Sequence, residues 1–169
     1  LLVADAVERT LDELGDVIGA DPLVLVSQGV EKPGNLGAML RTADAAGVSA
    51  VVAADPVTDW SNPNVVRGSK GTVFAVPVAS ASTEETMVWL RGRGIRTVAT
   101  TPDTDVLHTD ADLTGPTAVL MGTEKQGLTE TALAAADLRV RIPMAGTVNS
   151  LNVATAAAIV LYEAVRQRR

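Results

Sequence analysis

Five polar side chains, Asn35, Arg41, Glu124, Ser150 and Asn152, stand at points where apolar runs of the sequence give way to turns. Asn35 begins Asn-Leu-Gly-Ala-Met-Leu-Arg-Thr-Ala, a segment that follows one apolar run and opens a helix. Asn35 is a favoured N-cap type there, and Arg41 comes nearly two turns later. Glu124 lies in Gly122-Thr123-Glu124-Lys125-Gln126-Gly127-Leu128, directly after the apolar run Thr117–Met121. Two glycines in such a strand-to-helix turn let backbone approach a ligand at the carboxyl edge of an open α/β sheet. Ser150 and Asn152 follow Ile142-Pro143-Met144 and a loop of small residues, and either one suits the cap of the last helix. A cation, a carboxylate, a hydroxyl and two amides can grip a phosphate and orient a hydroxyl and its proton. Singly, each has a plainer reading as a helix cap, a solvated turn or an exposed arginine.

Other chemistries are excluded by composition. The 169 residues contain no cysteine, which removes disulfides, thiolate nucleophiles and cysteine metal sites, and nothing groups as a metal cluster. His108 is the single histidine and lies in a polar loop, so a Ser-His triad has no support. Gly92-Arg93-Gly94 precedes a strand instead of following one, and Gly68-Ser69-Lys70-Gly71-Thr72 lacks the spacing of a phosphate loop. The net charge of −6 opposes bulk electrostatic attraction to nucleic acid, leaving Arg67, Lys70, Arg139, Arg141 and the terminal arginines for local phosphate contacts. Stacking platforms are confined to Trp60, Phe74, Trp89 and Tyr162. No apolar run reaches the roughly 18 to 20 residues that span a bilayer, and the expectation is a cytoplasmic protein.

The elements that must position these residues read as an α/β alternation of β-branched runs and helical stretches. Strands are expected at Leu23–Ser27, Ala50–Ala53, Phe74–Val78, Ile95–Thr100, Thr117–Met121 and Leu138–Ile142. Helices are expected at Leu36–Ala46, near Val65, and at Thr83–Arg91, Thr129–Ala135 and Leu151–Arg166. The fold class is therefore α/β, a mostly parallel six-stranded sheet with helices on both faces. Residues 1–20 read as an N-terminal helix or tether, with the helical pattern over residues 2–18, and residues 21–169 as one catalytic domain. The last helix is apolar almost all round, which fits either deep burial or a subunit interface.

In this order the three segments closely resemble the motifs of the SpoU (TrmH-like) RNA 2′-O-methyltransferases of the SPOUT superfamily, over about Pro22 to Arg169. Arg67–Phe74 also looks like that family's segment between its first two motifs. The resemblance implies a deep trefoil knot over about Ile95 to Arg169, one of the rare exceptions to unknotted folds. It implies a homodimer with its active site completed across the interface. It also implies S-adenosyl-L-methionine as cofactor, contacted by Thr100, Leu120, Gly122, Ile142, Met144 and Leu151, and no metal. RNA would be the partner, ribosomal before transfer, and an RNA-binding domain ahead of Leu1 would be missing here. Arg41 then resembles the family's essential arginine. Because a guanidinium rarely gives up its proton, it suits stabilisation of a developing alkoxide or a grip on phosphate better than general-base work. Asn35 would position Arg41 or the ribose, Glu124 would orient the arginine or accept the proton, and Ser150 and Asn152 would hold substrate and cofactor. Thr123, where many relatives carry Asn, and Glu31-Lys32 depart from the family pattern. Two other readings remain: a non-catalytic knotted RNA-binding or assembly module, and a different nucleotide-binding α/β enzyme, which would lack its phosphate motif.

Overall fold

A computed structural model describes residues 7–169. Its strands are β1 (Glu8–Arg9), β2 (Leu23–Gln28), β3 (Ala50–Ala54), β4 (Val78–Ala81), β5 (Arg96–Thr100), β6 (Thr117–Met121) and β7 (Leu138–Val140). Its helices are α1 (Leu11–Gly15), α2 (Pro33–Ala45), α3 (Pro63–Ser69), α4 (Thr83–Gly92), α5 (Glu130–Ala135) and α6 (Val153–Gln167), with a 3-10 turn at Thr72–Phe74. One sheet results, in the order β1-β4-β3-β2-β6-β5-β7, and every pairing between named strands is parallel. The fold belongs to the class expected, with seven strands in place of six.

Both faces of the sheet are covered, which is why β2, β3 and β6 are buried along their whole length. On one face Leu25, Val51, Val98 and Val119 pack with Leu36, Met39 and Leu40 of α2, Val65 of α3 and Val160 and Leu161 of α6. On the other, Val24, Val26, Val52 and Leu120 pack with Leu14 of α1, Met87 and Leu90 of α4 and Leu133 of α5. The central strands β2 and β6 pair from Leu23↔Thr117 to Ser27↔Met121, so their carboxyl ends open at one edge. The turns after them carry the first two motifs. Capping side chains fix where several helices begin: Thr10 and Glu13 form a capping box on α1, Ser82 and Glu85 do so on α4, and Thr129 caps α5.

Three local expectations are corrected. Of the helical pattern over residues 2–18, residues 2–6 lie outside the described residues. Within the remainder Glu8–Arg9 pairs with β4 as a seventh, edge strand ahead of the short helix α1. Both residues are exposed, so only backbone pairing makes them a strand and no apolar alternation announces it. The strand expected at Phe74–Val78 begins only at Val78, because Lys70 and Gly71 both adopt left-handed backbone (φ 55° and 88°) and lead into the 3-10 turn. Asn35 is not the N-cap of α2. The helix starts two residues earlier at Pro33, whose fixed φ suits the first turn, and Lys32 caps it without a side-chain bond.

Between Ser150 and Asn152, the cap of α6 is Asn152, whose side-chain oxygen accepts from the N–H groups of Ala154 (3.0 Å) and Thr155 (3.4 Å). The far end of α6 is tied down by Arg168, which donates to the carbonyls of Leu113 (3.1 Å), Gly115 and Pro22 (3.4 Å). Glu163, gripped by Arg166 at 2.7 Å and by Gln167, has its carboxyl lowered to about 2.

Candidate active site

The three motif segments converge on the carboxylate of Glu124. The turn after β2 delivers Lys32 and, on the first turn of α2, Asn35. The turn after β6 delivers Glu124, and the loop after β7 delivers Asn152 at the head of α6. Oε1 of Glu124 accepts from Nδ2 of Asn35 (2.7 Å) and Nδ2 of Asn152 (2.8 Å), while Oε2 accepts from Nζ of Lys32 (2.8 Å). Asn152 Nδ2 also reaches Oδ1 of Asn35 at 3.1 Å. Hydrogen bonds from Lys32 and then Asn35 hold the Glu124 carboxyl below the ordinary glutamate range, and the Lys32 ammonium is correspondingly held above its own. Only 28% of the Glu124 side chain is exposed against 72% of Lys32, so the carboxylate is the sheltered partner.

The turn that carries Glu124 is folded tightly on itself. Thr123 and Gly127 exchange backbone hydrogen bonds at 3.0 Å, and a Cβ on Gly122 would lie 2.0 Å from the Gly127 carbonyl carbon. Gly122 is therefore required for closure of the turn. Beside this turn runs a cleft of about 410 Å³, walled by Thr100–Asp103, Met121–Leu128 and the loop from Ile142 to Leu151. Its apolar lining comes from Met121, Leu128, Leu133, Ile142, Met144 and Leu151, and Thr100 contributes a buried hydroxyl with no partner among the described residues. Apolar walls with few polar groups suit a neutral heterocycle. A second cleft of about 260 Å³, lined by Val30–Lys32, Asn35, Thr123–Gln126 and Val153, shares the Glu124 turn as a wall.

The structure thus brings Asn35, Glu124 and Asn152 into hydrogen-bond contact, and places Ser150 on the larger cleft with Thr100, Gly122, Ile142, Met144 and Leu151. Leu120 is not on the cleft. Its position in β6 turns it to the opposite face of the sheet, where it is buried beneath α4 and α5, and Met121, one residue on, takes the lining place. Arg41 lines neither cleft; it is exposed on α2 and forms no hydrogen bond or ion pair among the described residues. Nothing in the sequence marks Lys32 as a partner of Glu124, since 92 residues separate the two and only the fold brings them together. No group of metal ligands occurs among the described residues.

A parallel α/β sheet with a ligand-sized cleft at the carboxyl ends of its central strands, bounded by two loops that meet at one carboxylate, defines a ligand-binding α/β domain. The chain belongs to the SpoU rRNA Methylase family, whose model matches residues 22–162. It is 43% identical over 162 residues to the 23S rRNA (guanosine-2′-O-)-methyltransferase RlmB of Pseudomonas syringae pv. tomato, an alignment covering 95% of this chain and 65% of that protein. Among solved structures it resembles the SpoU methyltransferase AviRb from Streptomyces viridochromogenes, with a TM-score of 0.89 at 37% identity, covering 95% of this chain and 64% of that one. An AdoMet-bound rRNA methyltransferase from Sinorhizobium meliloti superposes with a TM-score of 0.88 at 37% identity, covering 94% of this chain and 60% of that one. The chain spans just under two thirds of the relative from Pseudomonas. No helix among the described residues is long and apolar enough to cross a membrane.

Proposed function

We propose that residues 21–169 form the catalytic domain of a cytoplasmic RNA methyltransferase acting on a ribose 2′-hydroxyl, with ribosomal RNA as substrate. The observation that carries this reading is the convergence of three distant segments on Glu124, at the wall shared by two clefts. Two adjoining clefts are what a transfer between two bound partners requires. The larger fits S-adenosyl-L-methionine: its apolar walls suit the adenine, the free Thr100 hydroxyl offers a polar contact, and Gly122 brings backbone to the wall. When bound, that cofactor supplies an activated methyl group on a sulfonium, a good leaving group. The chain's own task is then to align the hydroxyl and manage its proton.

Glu124 is held charged by Lys32 and Asn35, which makes it an orienting carboxylate rather than a strong base. It fixes the amides of Asn35 and Asn152 in one orientation, and Asn152 spends its oxygen on the start of α6. Ser150 and Asn149 flank the cofactor cleft on the other loop. Arg41 stabilises the developing alkoxide or the adjacent phosphate. Since it lies on neither cleft of its own chain, this reading needs a homodimer in which Arg41 of one copy completes the site of the other. The half-buried Ala158 and Ile159 and the exposed Tyr162 of α6 support such an interface. The loops after β5, β6 and β7 converge on the cleft, which supports a knot formed over about Ile95 to Arg169.

The test has two arms. Calorimetry with S-adenosylhomocysteine is expected to give one site per chain, and nucleoside mass spectrometry of RNA treated with protein and cofactor is expected to show a 2′-O-methylated nucleoside. Cofactor binding without any methylated nucleoside would favour the non-catalytic RNA-binding module.

A further inference from the structure

The segment between β3 and α4 combines exposed cations with the most exposed aromatic side chain among the described residues. From Trp60 to Thr83 there is no acidic residue, although the chain as a whole has a net charge of −6, and both cations of that stretch, Arg67 and Lys70, are exposed. Of the four aromatic side chains Trp60 and Trp89 are buried, whereas Phe74 is 65% exposed, more than Tyr162 at 47%. Its exposure is built in by the fold. Ser69 is buried, donating to the carbonyl of Val66 (2.9 Å) and accepting from Gly71 N–H (3.3 Å). Lys70 is then held in left-handed backbone at φ 55°, and the 3-10 turn buries Val73 while Phe74 faces out. A lysine held in that backbone region carries a conformational cost that points to a role for the turn.

This surface also lies beside the arginine that the catalytic reading requires. Gly37 of α2 meets α3 so closely that a Cβ there would lie 2.8 Å from the Gly68 carbonyl carbon. Arg41 is one turn further on the same face of α2, and α2 goes on to pack against the 3-10 turn. Asp59 and Glu84 are the acids nearest in sequence, and they bound the stretch on either side.

We propose that Arg67, Lys70 and Phe74 form a docking surface for an unpaired stretch of RNA: Phe74 stacks on one base while Arg67 and Lys70 hold flanking phosphates, leading the strand to Arg41. The proposal rests on the RNA reading above. Stacking on an aromatic side chain with nearby cations is indifferent to base identity and requires an unpaired strand, because a duplex offers no free base face. The cations match the charge of phosphate in a chain that otherwise repels it.

The test uses the full chain, a fluorescein-labelled unstructured RNA 12-mer, and the same RNA annealed to its complement. The wild-type chain is expected to prefer the single strand. Phe74→Ala is expected to weaken single-strand binding about tenfold, and Phe74→Trp to restore it to within about twofold with its indole fluorescence quenched on binding. Arg67→Gln and Lys70→Gln are each expected to lower the slope of log affinity against log salt by about one. Unchanged binding by Phe74→Ala, or an unquenched Phe74→Trp, overturns the proposal. So does a shift of Phe74→Ala to a smaller species in sedimentation, which would give this face to a second copy of the chain. S-adenosylhomocysteine calorimetry on the same proteins separates the two ideas: bound cofactor with indifferent Phe74 defeats only the docking surface, and RNA binding without cofactor defeats only the transferase.

Discussion

Two polar networks stand at the carboxyl ends of the central strands, and they are built to opposite ends. In the first, Gln28 at the end of β2 donates to Thr83 (2.6 Å) and Thr129 (2.9 Å) and accepts from the Thr129 N–H, while Thr83 donates to both oxygens of Asp55. Gln28 and Thr83 are buried, and every bond serves to seat the starts of α4 and α5 on the sheet. In the second, the Lys32 ammonium and the Asn35 and Asn152 amides converge on a Glu124 carboxylate that faces two clefts. Both networks join distant segments through side-chain amides. The first spends its polarity on assembly under cover, where a lost partner leaves a buried group unsatisfied. The second leaves its polarity at an open surface, where water can replace a lost partner and only ligand chemistry suffers.

That contrast is broken or sharpened by substitutions in each network. Glu124→Ala is expected to lower methyl transfer by about a hundredfold or more, as for loss of an oriented electrostatic group, while the melting temperature moves little. A large fall in melting temperature would make the cleft network structural like its neighbour. Gly122→Ala forces a Cβ against the Gly127 backbone, and its S-adenosylhomocysteine affinity, read by calorimetry, is expected to drop at least about tenfold. Gln28→Ala is the converse case, costing about 2 kcal/mol through the lost hydrogen bonds of the buried amide to Thr83 and Thr129, or roughly 4–8 °C in melting temperature for a chain of this size. Cofactor affinity in that variant should stay within a few-fold; loss of binding at unchanged stability would erase the distinction.

The smallest effect concerns a third carboxylate, Glu163, which Arg166 and Gln167 hold at about 2. Its folded value lies below the unfolded one, so its stabilising contribution is complete above about pH 4.5 and is lost as pH falls towards 2. Denaturant titrations are expected to show Glu163→Gln with a flatter acid limb in that window. An acid limb identical to wild type would show that the α6 pair contributes nothing.

The alternation of strands and helices was legible because burial on both faces leaves short runs almost free of polar residues, as in Leu23–Val26 and Thr117–Met121. β1 was not, because Glu8 and Arg9 pair through backbone alone. The start of α2 was misplaced since Asn35 has the character of a cap, yet Pro33 fixes the first turn ahead of it. At the site, the order of motifs pointed to Asn35, Arg41, Glu124, Ser150 and Asn152; Asn35, Glu124 and Asn152 meet, Ser150 lines the larger cleft, and Arg41 lines neither. What spacing could not supply was direction: Leu120 and Met121 are neighbours in sequence but face opposite sides of the sheet, and only Met121 reaches the cleft. Lys32 and Gln28 were invisible for the same reason, their partners lying 92 and 101 residues away.

Those separations also bear on how the chain comes into being. β2 is seated between β3 and β6, and Gln28 finds Thr129 only 101 residues later, while Arg168 closes on the carbonyl of Pro22 across 146. During synthesis at about 5–20 residues per second, the strand at the centre of the sheet waits roughly 5–20 seconds with one edge unpaired. Throughout that interval a strand destined for burial along its whole length offers its free backbone groups to any neighbouring chain. The order of synthesis therefore leaves β2 open on one side until β6 emerges, and the contact of Arg168 with Pro22 can form only after both central strands are in place.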